Sequence, residues 1–341
     1  MKMGSFILRR LLMSIFVLFG LSIVIFIIAR VVPGDPARLA LGPRAPAEVV
    51  EQLRRELQMD KSLPEQYWIW LTRAFRGDLG KSLVSKRPVI EDIREYLPPT
   101  LELIFFSAIF MVFFAILLGT LAARYKDKWA DGLIRVCAYI GVSIPAFVLA
   151  VFFILFFGYA WPILPVLGRL SSQFNASGVT GFLILDFIIA GNLRAAWNSF
   201  AHLILPATAL ALGGTFQEAR IARASLVDNL SRDFIAAERG SGISEKKIMF
   251  LYLLKPSLIP TVSVMGMDIA AMIGNAFLVE VIFNWPGLSR YGMNAMLYKD
   301  LNAISGVVLI IGLVFALTNI VVDFIVAFLD PRIRLGGVRG Q

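Results

Sequence analysis

The chain has 341 residues, of which 58% are apolar and only 17% charged. Soluble domains carry about 45–50% apolar residues, and no soluble core of this length buries 27 Phe and 11 Met. Disorder and collagen-like repeats are excluded by composition, and a disulfide scaffold by the single cysteine, Cys137; the single histidine, His202, rules out a histidine-based metal cluster. The +9 charge of such an oily chain marks the flanks of membrane spans rather than a nucleic-acid surface. The sequence is that of an integral membrane protein.

A helix needs about 20 mostly apolar residues to cross the hydrocarbon core. Leu11–Ala29 is uncharged over 19 residues and is bracketed by Arg9, Arg10 and Arg30. No small-x-small cleavage site follows, and the run is too long for a signal peptide, so a retained first span is expected at 7–30. Residues 32–99 then form a loop outside the membrane. Its amphipathic stretch Ala47–Leu57 and the aromatic run Tyr67-Trp68-Ile69-Trp70 predict helices near the interface. Gly80-Lys81-Ser82 resembles the end of a phosphate-binding loop, but that motif needs Gly at the position of Phe75. A turn is expected there instead.

Five more spans are expected, at 101–123, 134–158, 201–224, 258–281 and 305–329. The run Gly181–Ala190 is too short to cross and contains Asp186, so it reads as an interfacial or loop helix. Pro145, Pro206 and Gly213-Gly214 are candidate bends. Six spans put both termini on one side, and the basic residues choose it. Seventeen Lys and Arg fall on the segments sharing a side with the termini, against four on the opposite short segments. Both termini are therefore expected in the cytoplasm. The organisation is a first span (1–31), an extracytoplasmic loop (32–99), a five-span core (100–329) and a tail (330–341). The sequon Asn175-Ala176-Ser177 is a three-residue match and carries no weight.

Carboxylates inside spans are costly and mark pathways or internal pairs. Glu102, Glu218, Asp268 and Asp323 are the candidates; an ion pair with Arg220 or Arg223 is expected for Glu218. Asp268 and Asp323, with Asn275, either line a pathway or make structural hydrogen bonds. Gly266, Ala270, Ala271 and Gly274 make one side of the fifth span small, which suits close packing within the chain or against another subunit. No HExxH or CxxC occurs, and no cluster of nucleophile, base or metal ligands, so neither a catalytic nor a metal site is expected.

The loop 225–257 carries the most organised signal. Ser231 is expected to cap a short helix with Asp233 in its first turn. Phe234, Ala237 and the stem of Glu238 share a face, and Gly240 and Gly242 end the helix. Ser244 is expected to cap a second helix, which Pro256 breaks. From the residues alone this is either an ordinary connector or a helix that docks into a partner's groove.

The segment resembles the coupling loop of ABC-importer permeases, in which a short helix meets a separate ATPase. The Glu-Ala-Ala-x-x-x-Gly pattern falls on Ala236, Ala237, Glu238 and Gly242, with Ala in place of the leading Glu and Glu in place of the second Ala. The helix and Gly242 carry over; a role for a leading carboxylate does not. Further motifs are similar to those of dipeptide and oligopeptide importer permeases: Phe6-Ile-Leu-Arg-Arg-Leu11, Val32-Pro-Gly-Asp-Pro36, Gly77-Asp-Leu-Gly-Lys-Ser82 and Leu97-Pro-Pro-Thr-Leu-Glu-Leu103. Ser143-Ile-Pro-Ala-Phe147, Leu205-Pro206, Ile282-Phe-Asn-Trp-Pro-Gly-Leu288 and Asp330-Pro-Arg-Ile-Arg334 follow in the family's order.

The resemblance covers nearly the whole chain and implies an all-α, six-span type I permease fold. It implies half of a pathway for peptides or peptide-like solutes in a bacterial or archaeal cytoplasmic membrane. Its implied partners are a second related permease, two cytoplasmic ATP-binding subunits holding ATP and Mg, and an extracytoplasmic binding protein. Phe234, Ala236, Ala237, Glu238, Gly242 and Ser244 become the expected ATPase-coupling residues. Oligosaccharides or metal chelates are alternative cargoes. An ion-coupled carrier using Asp268 and Asp323 is the competing mechanism, against which the absence of an inverted repeat counts.

Overall fold

The computed structural model describes residues 3–31, 36–42, 44–56, 58–175 and 178–329. Every regular element among them is a helix, the form that satisfies a backbone in hydrocarbon from within. In chain order these are α1 (Met3–Val31), α2 (Pro36–Leu41), α3 (Ala47–Glu56), α4 (Leu63–Phe75), α5 (Val89–Arg124), α6 (Trp129–Ser143) and α7 (Ala146–Ile154). Then come α8 (Leu183–Ile189), α9 (Leu193–Leu230), α10 (Asp233–Gly240), α11 (Glu245–Lys247), α12 (Leu254–Ile282), α13 (Leu288–Leu297) and α14 (Leu301–Leu329). Two π-helical turns interrupt them, Leu155–Ala160 after α7 and Ile248–Leu253 between α11 and α12.

Among the described residues five helical runs are long and apolar enough to cross a membrane: Arg10–Ile28, Val89–Arg124, Leu193–Leu230, Glu245–Ile282 and Leu301–Val326. The span expected at 134–158 is broken at Pro145, one of the candidate bends, α6 and the helix after it meeting at 101°. Pro145 is the cause. Its ring disfavours helical backbone at the preceding residue, and Ile144 sits extended at φ −95°, ψ 118°. Counted as one, the bent pair makes the sixth span. Pro206 and Gly213-Gly214, also expected as bends, lie inside an uninterrupted α9.

At 38 residues α9 is about 57 Å long, far more than the hydrocarbon core requires. It therefore absorbs Ser225–Leu230, which are expected from sequence in the loop. Pro256 does not break the following helix. It sits in the first turn of α12, where a missing N–H is tolerated, directly after a π-helical turn.

The core is built around α5 and α9, the most extensively packed pair. Leu103, Met111, Leu203, Leu205, Met265 and Trp285 fill its centre. Gly119 permits the approach, since a Cβ there would stand 2.9 Å from the carbonyl oxygen of Ala219. The alternating chain direction gives the bundle two ends. One carries α2–α4, α8, α13 and the starts of α5, α9 and α14; the other carries α10, α11 and the ends of α5 and α9. At the first end Tyr67 and Trp70 of α4 dock on Phe26 of α1, with ring centroids 5.3 and 5.9 Å apart, and Tyr67 shares a 2.8 Å hydrogen bond with Ser22. The stretch 32–35 of the first-span exit motif, the segment 330–341 and most of the sequon lie outside the described residues.

Candidate functional site

At the α10 end, α9 stops at Ser231, whose Oγ donates back to the Asp228 carbonyl at 2.9 Å. Ser231 thus closes α9 and does not cap α10. Arg232 holds the N-cap position of α10 with no side-chain cap bond, because only Ser231 and Arg232 separate the two helices and Ser231 closes the first. Ser244 occupies the N-cap position of α11, also without a side-chain cap bond. Gly242 ends the elbow at φ +77°, and nothing lies within 4 Å of where its Cβ would be. The position demands glycine for backbone conformation, not for space.

One side chain anchors α10. Ile235 is fully buried against Leu226, Ile248, Leu253 and Ala123. Around it Phe234 (42% exposed), Ala236 and Ala237 face outward, while Glu238 is half-buried. Arg239 clamps Glu245 through two bonds of 2.6 and 3.2 Å, tying α10 to α11, and this contact raises the arginine pKa further. Of the face expected from sequence, Phe234 and Ala237 are exposed and Glu238 is half-buried, while Ile235, not singled out there, is the only buried residue of α10. Its signal was a lone aliphatic side chain among polar and small neighbours.

At the opposite end, motifs far apart in sequence bind one another. Trp285 Nε1 donates to the Pro99 carbonyl at 3.0 Å. Thr100 Oγ1 donates to Glu280 at 2.5 Å and accepts from the Leu288 amide at 2.7 Å. The other Glu280 oxygen accepts the Ser289 amide (2.9 Å) at the start of α13. Arg169 pairs with Glu102, reaches the Gly181 carbonyl at 2.9 Å and lies 5.4 Å from the Trp285 ring centroid. The Gly80–Ser82 stretch, bridged to Pro88 at Lys81, leads into a turn at Leu83–Ser85 that wraps Asp300, which accepts Ser82 Oγ (2.6 Å) and the Leu83 amide (2.7 Å). The donors that a phosphate would need are taken by a carboxylate. Glu280, Asp300 and Arg169 were not singled out in the sequence; Asp300 was legible as a helix start, since it accepts the Ala303 amide at 3.2 Å.

The intramembrane acids divide three ways. Asp323 pairs with Arg10 of α1 at 2.9 Å. Glu102 is held by Arg169 and by the Ile184 amide (3.0 Å). Glu218 does not make the expected arginine pair: Arg223 is taken by Asp131 through bonds of 2.5 and 2.6 Å. Glu218 is instead fully buried, neither oxygen hydrogen-bonded, with Asp268 as its charged neighbour. Asp268 and Asn275 line a cavity of about 210 Å³ with Gly213, Gly214 and Gln217. The small face of α12 also divides. Gly266 packs against Val322 of α14, whereas Ala271, Gly274 and Asn275 form an exposed stripe. His202 is buried, its Nδ1 2.9 Å from the Asn198 carbonyl.

Comparison with known proteins fits this arrangement. Residues 115–335 match the family described as "Binding-protein-dependent transport system inner membrane component", and residues 3–104 match the N-terminal model of the same systems. The chain belongs to this family. It is a permease subunit and non-catalytic, with ATP hydrolysis carried by a separate subunit. Among its relatives is the Escherichia coli protein named "Probable D,D-dipeptide transport system permease protein", 37% identical over 95% of both chains. A dipeptide transport system permease protein of Alkalihalophilus pseudofirmus is 34% identical over 97% of this chain and 100% of its own. A glutathione transport system permease protein of Shigella flexneri is 35% identical over 97% and 99%.

Proposed function

We propose that this permease forms half of the pathway of an ATP-driven peptide importer and that α10 is its docking element for a cytoplasmic ATP-binding subunit. The supporting observation is the build of α10: eight residues with Ile235 as their one buried side chain, Phe234, Ala236 and Ala237 turned outward, Arg239 clamped to Glu245 and Gly242 fixing the exit. A helix anchored by one buried side chain and bare on its outer face transmits a push without unfolding. On this reading both termini and α10 are cytoplasmic, and the end carrying α2–α4, α8 and α13 receives solute from an extracytoplasmic binding protein. ATP and Mg reside on two partner subunits, and a second, related permease completes the pathway. The relatives' names carry the cargo class, since dipeptides and glutathione are short peptides.

The test is reconstitution with the ATP-binding subunits, the second permease and the binding protein. Uptake of a labelled dipeptide is expected only with ATP and binding protein present. A cysteine placed by Ala237→Cys is expected to cross-link to the ATP-binding subunit. Uptake driven by a proton gradient, with no ATP-binding subunit present, would overturn the reading.

A further inference from the structure

We propose that the groove between α5 and the π-helical turn Ile248–Leu253 binds an anionic glycerophospholipid, with an acyl chain along the groove and the phosphate on Arg124. The groove encloses about 630 Å³ and is almost wholly apolar. Phe105, Ile109, Phe113 and Leu117 line it at four-residue spacing, one face of α5, with Phe250 and Leu254 opposite. The same face continues into Thr120 and Arg124. Thr120 Oγ1 is buried and has no hydrogen-bond partner among the described residues, although a helical threonine ordinarily bonds back to the preceding turn. Arg124 makes no ion pair among the described residues and lies 5.8 Å over the Tyr125 ring.

Beyond Arg124 a second hollow of about 310 Å³ opens, lined by Arg239, Glu245 and Lys246. Arg239 neutralises Glu245, which leaves Arg124 and Lys246 as its uncompensated charges. Arg124, Met249 and Phe250 line both spaces, so groove and hollow are contiguous. The order of chemistry is apolar trough, lone hydroxyl, cation, polar hollow. That is the order of a phospholipid from acyl chain through ester to phosphate. From Phe105 to Thr120 the trough runs about 22 Å along the helix, comparable with one extended fatty-acyl chain. An apolar helix from a partner would cover the trough but offer nothing to Arg124 and Lys246; an anionic lipid satisfies both ends. Its headgroup would lie beside the Arg239–Glu245 clamp, where it would brace the α10 elbow.

Native mass spectrometry of the full-length chain tests this, with phosphatidylglycerol or phosphatidylcholine of identical acyl chains added to the micelles. Phosphatidylglycerol is expected to be retained preferentially. Arg124→Ala is expected to lower that retention about fivefold, the equivalent of about 1 kcal/mol for one cation at a lipid surface. Arg124→Lys should restore most of it, and Ala108→Phe, which fills the groove, should remove both lipids. Should Arg124→Ala fail to accumulate, Lys246→Ala, at an exposed position, carries the same expectation of selective loss. Equal retention of the two lipids, or retention unchanged in these variants, would overturn the proposal. So would a Phe113→Cys cross-link to a second permease subunit in native membranes, because the groove would then be a protein interface. None of these readouts depends on uptake, so failure here leaves the importer reading standing.

Discussion

Gly242 and Asp186 show how much a single residue decides at each end of the bundle. Gly242 holds φ +77° in open space, so a larger side chain meets backbone strain and no clash. Gly242→Val should cost about 1–2 kcal/mol locally and misdirect the exit from α10. The expected outcome is normal membrane level on an immunoblot with uptake lost; full uptake would remove the elbow from the coupling argument. Asp186 lies in the connection before α9, where it accepts the Thr180 amide (3.0 Å), Thr180 Oγ1 (2.8 Å) and the Gly181 amide (3.0 Å). Burial pushes its carboxyl up, but these hydrogen bonds outweigh burial and hold it below the usual carboxylate range. A carboxyl with a lowered folded pKa contributes full stability above its unfolded pKa and loses it as pH falls through the lowered value. Segment 178–191 should therefore stay protected at neutral pH and open only below about pH 4. Asp186→Asn should cost about 2 kcal/mol and abolish that pH dependence. Limited proteolysis across pH reads both.

At the scale of elements, α10 buries one side chain, Ile235. Ile235→Ala should cost about 2–5 kcal/mol of local packing, as large-to-small core changes do. The outward residues remain in place in that variant, but the helix beneath them is loosened from Leu226, Ile248 and Leu253. ATP hydrolysis by the assembled complex should continue while uptake falls at least tenfold; uptake and hydrolysis falling together would point to lost assembly instead. How far such elements were legible follows from the range of the forces that make them. The oily runs, the short helices at 47–56, 63–75 and 183–189 and the stop at Gly242 rest on local pattern, and the sequence carries local pattern openly. The break at Pro145 was visible as a candidate, but the same cue at Pro206 and Pro256 led nowhere. Proline's effect depends on neighbours that relieve the ring, here a π-helical turn before Pro256. Ser231 does not cap α10 because α9 runs on to Leu230 and takes that serine as its own C-cap, whereas Ser244 holds the expected N-cap position of α11 without a side-chain cap bond. Partners of buried charges were illegible for a simpler reason. Arg223 finds Asp131, and Thr100 finds Glu280, across 92 and 180 residues of chain.

The whole molecule is visibly unfinished along one line. On α12, Met267, Ala271, Gly274, Asn275 and Leu278 are exposed at three- and four-residue spacing, next to the cavity holding Asp268. No atom stands within 4 Å of where a Gly274 Cβ would be, whereas Gly266 on the same helix is already closed by Val322. Small residues left bare in a membrane helix suit close approach by another helix, because packing there depends on surface fit. Beneath the stripe sits Glu218, buried beside Asp268 and with no hydrogen bond to its carboxylate among the described residues. On the reading proposed above, both features belong to a half-pathway that a second permease completes. Gly274→Trp should therefore block pairing while leaving this chain's own fold intact, since the side chain enters open space. Co-purification of the second permease should fall by at least tenfold with the thermal midpoint of the isolated chain unchanged. Undiminished pairing in Gly274→Trp would move the subunit interface to another face and leave the α12 stripe to lipid.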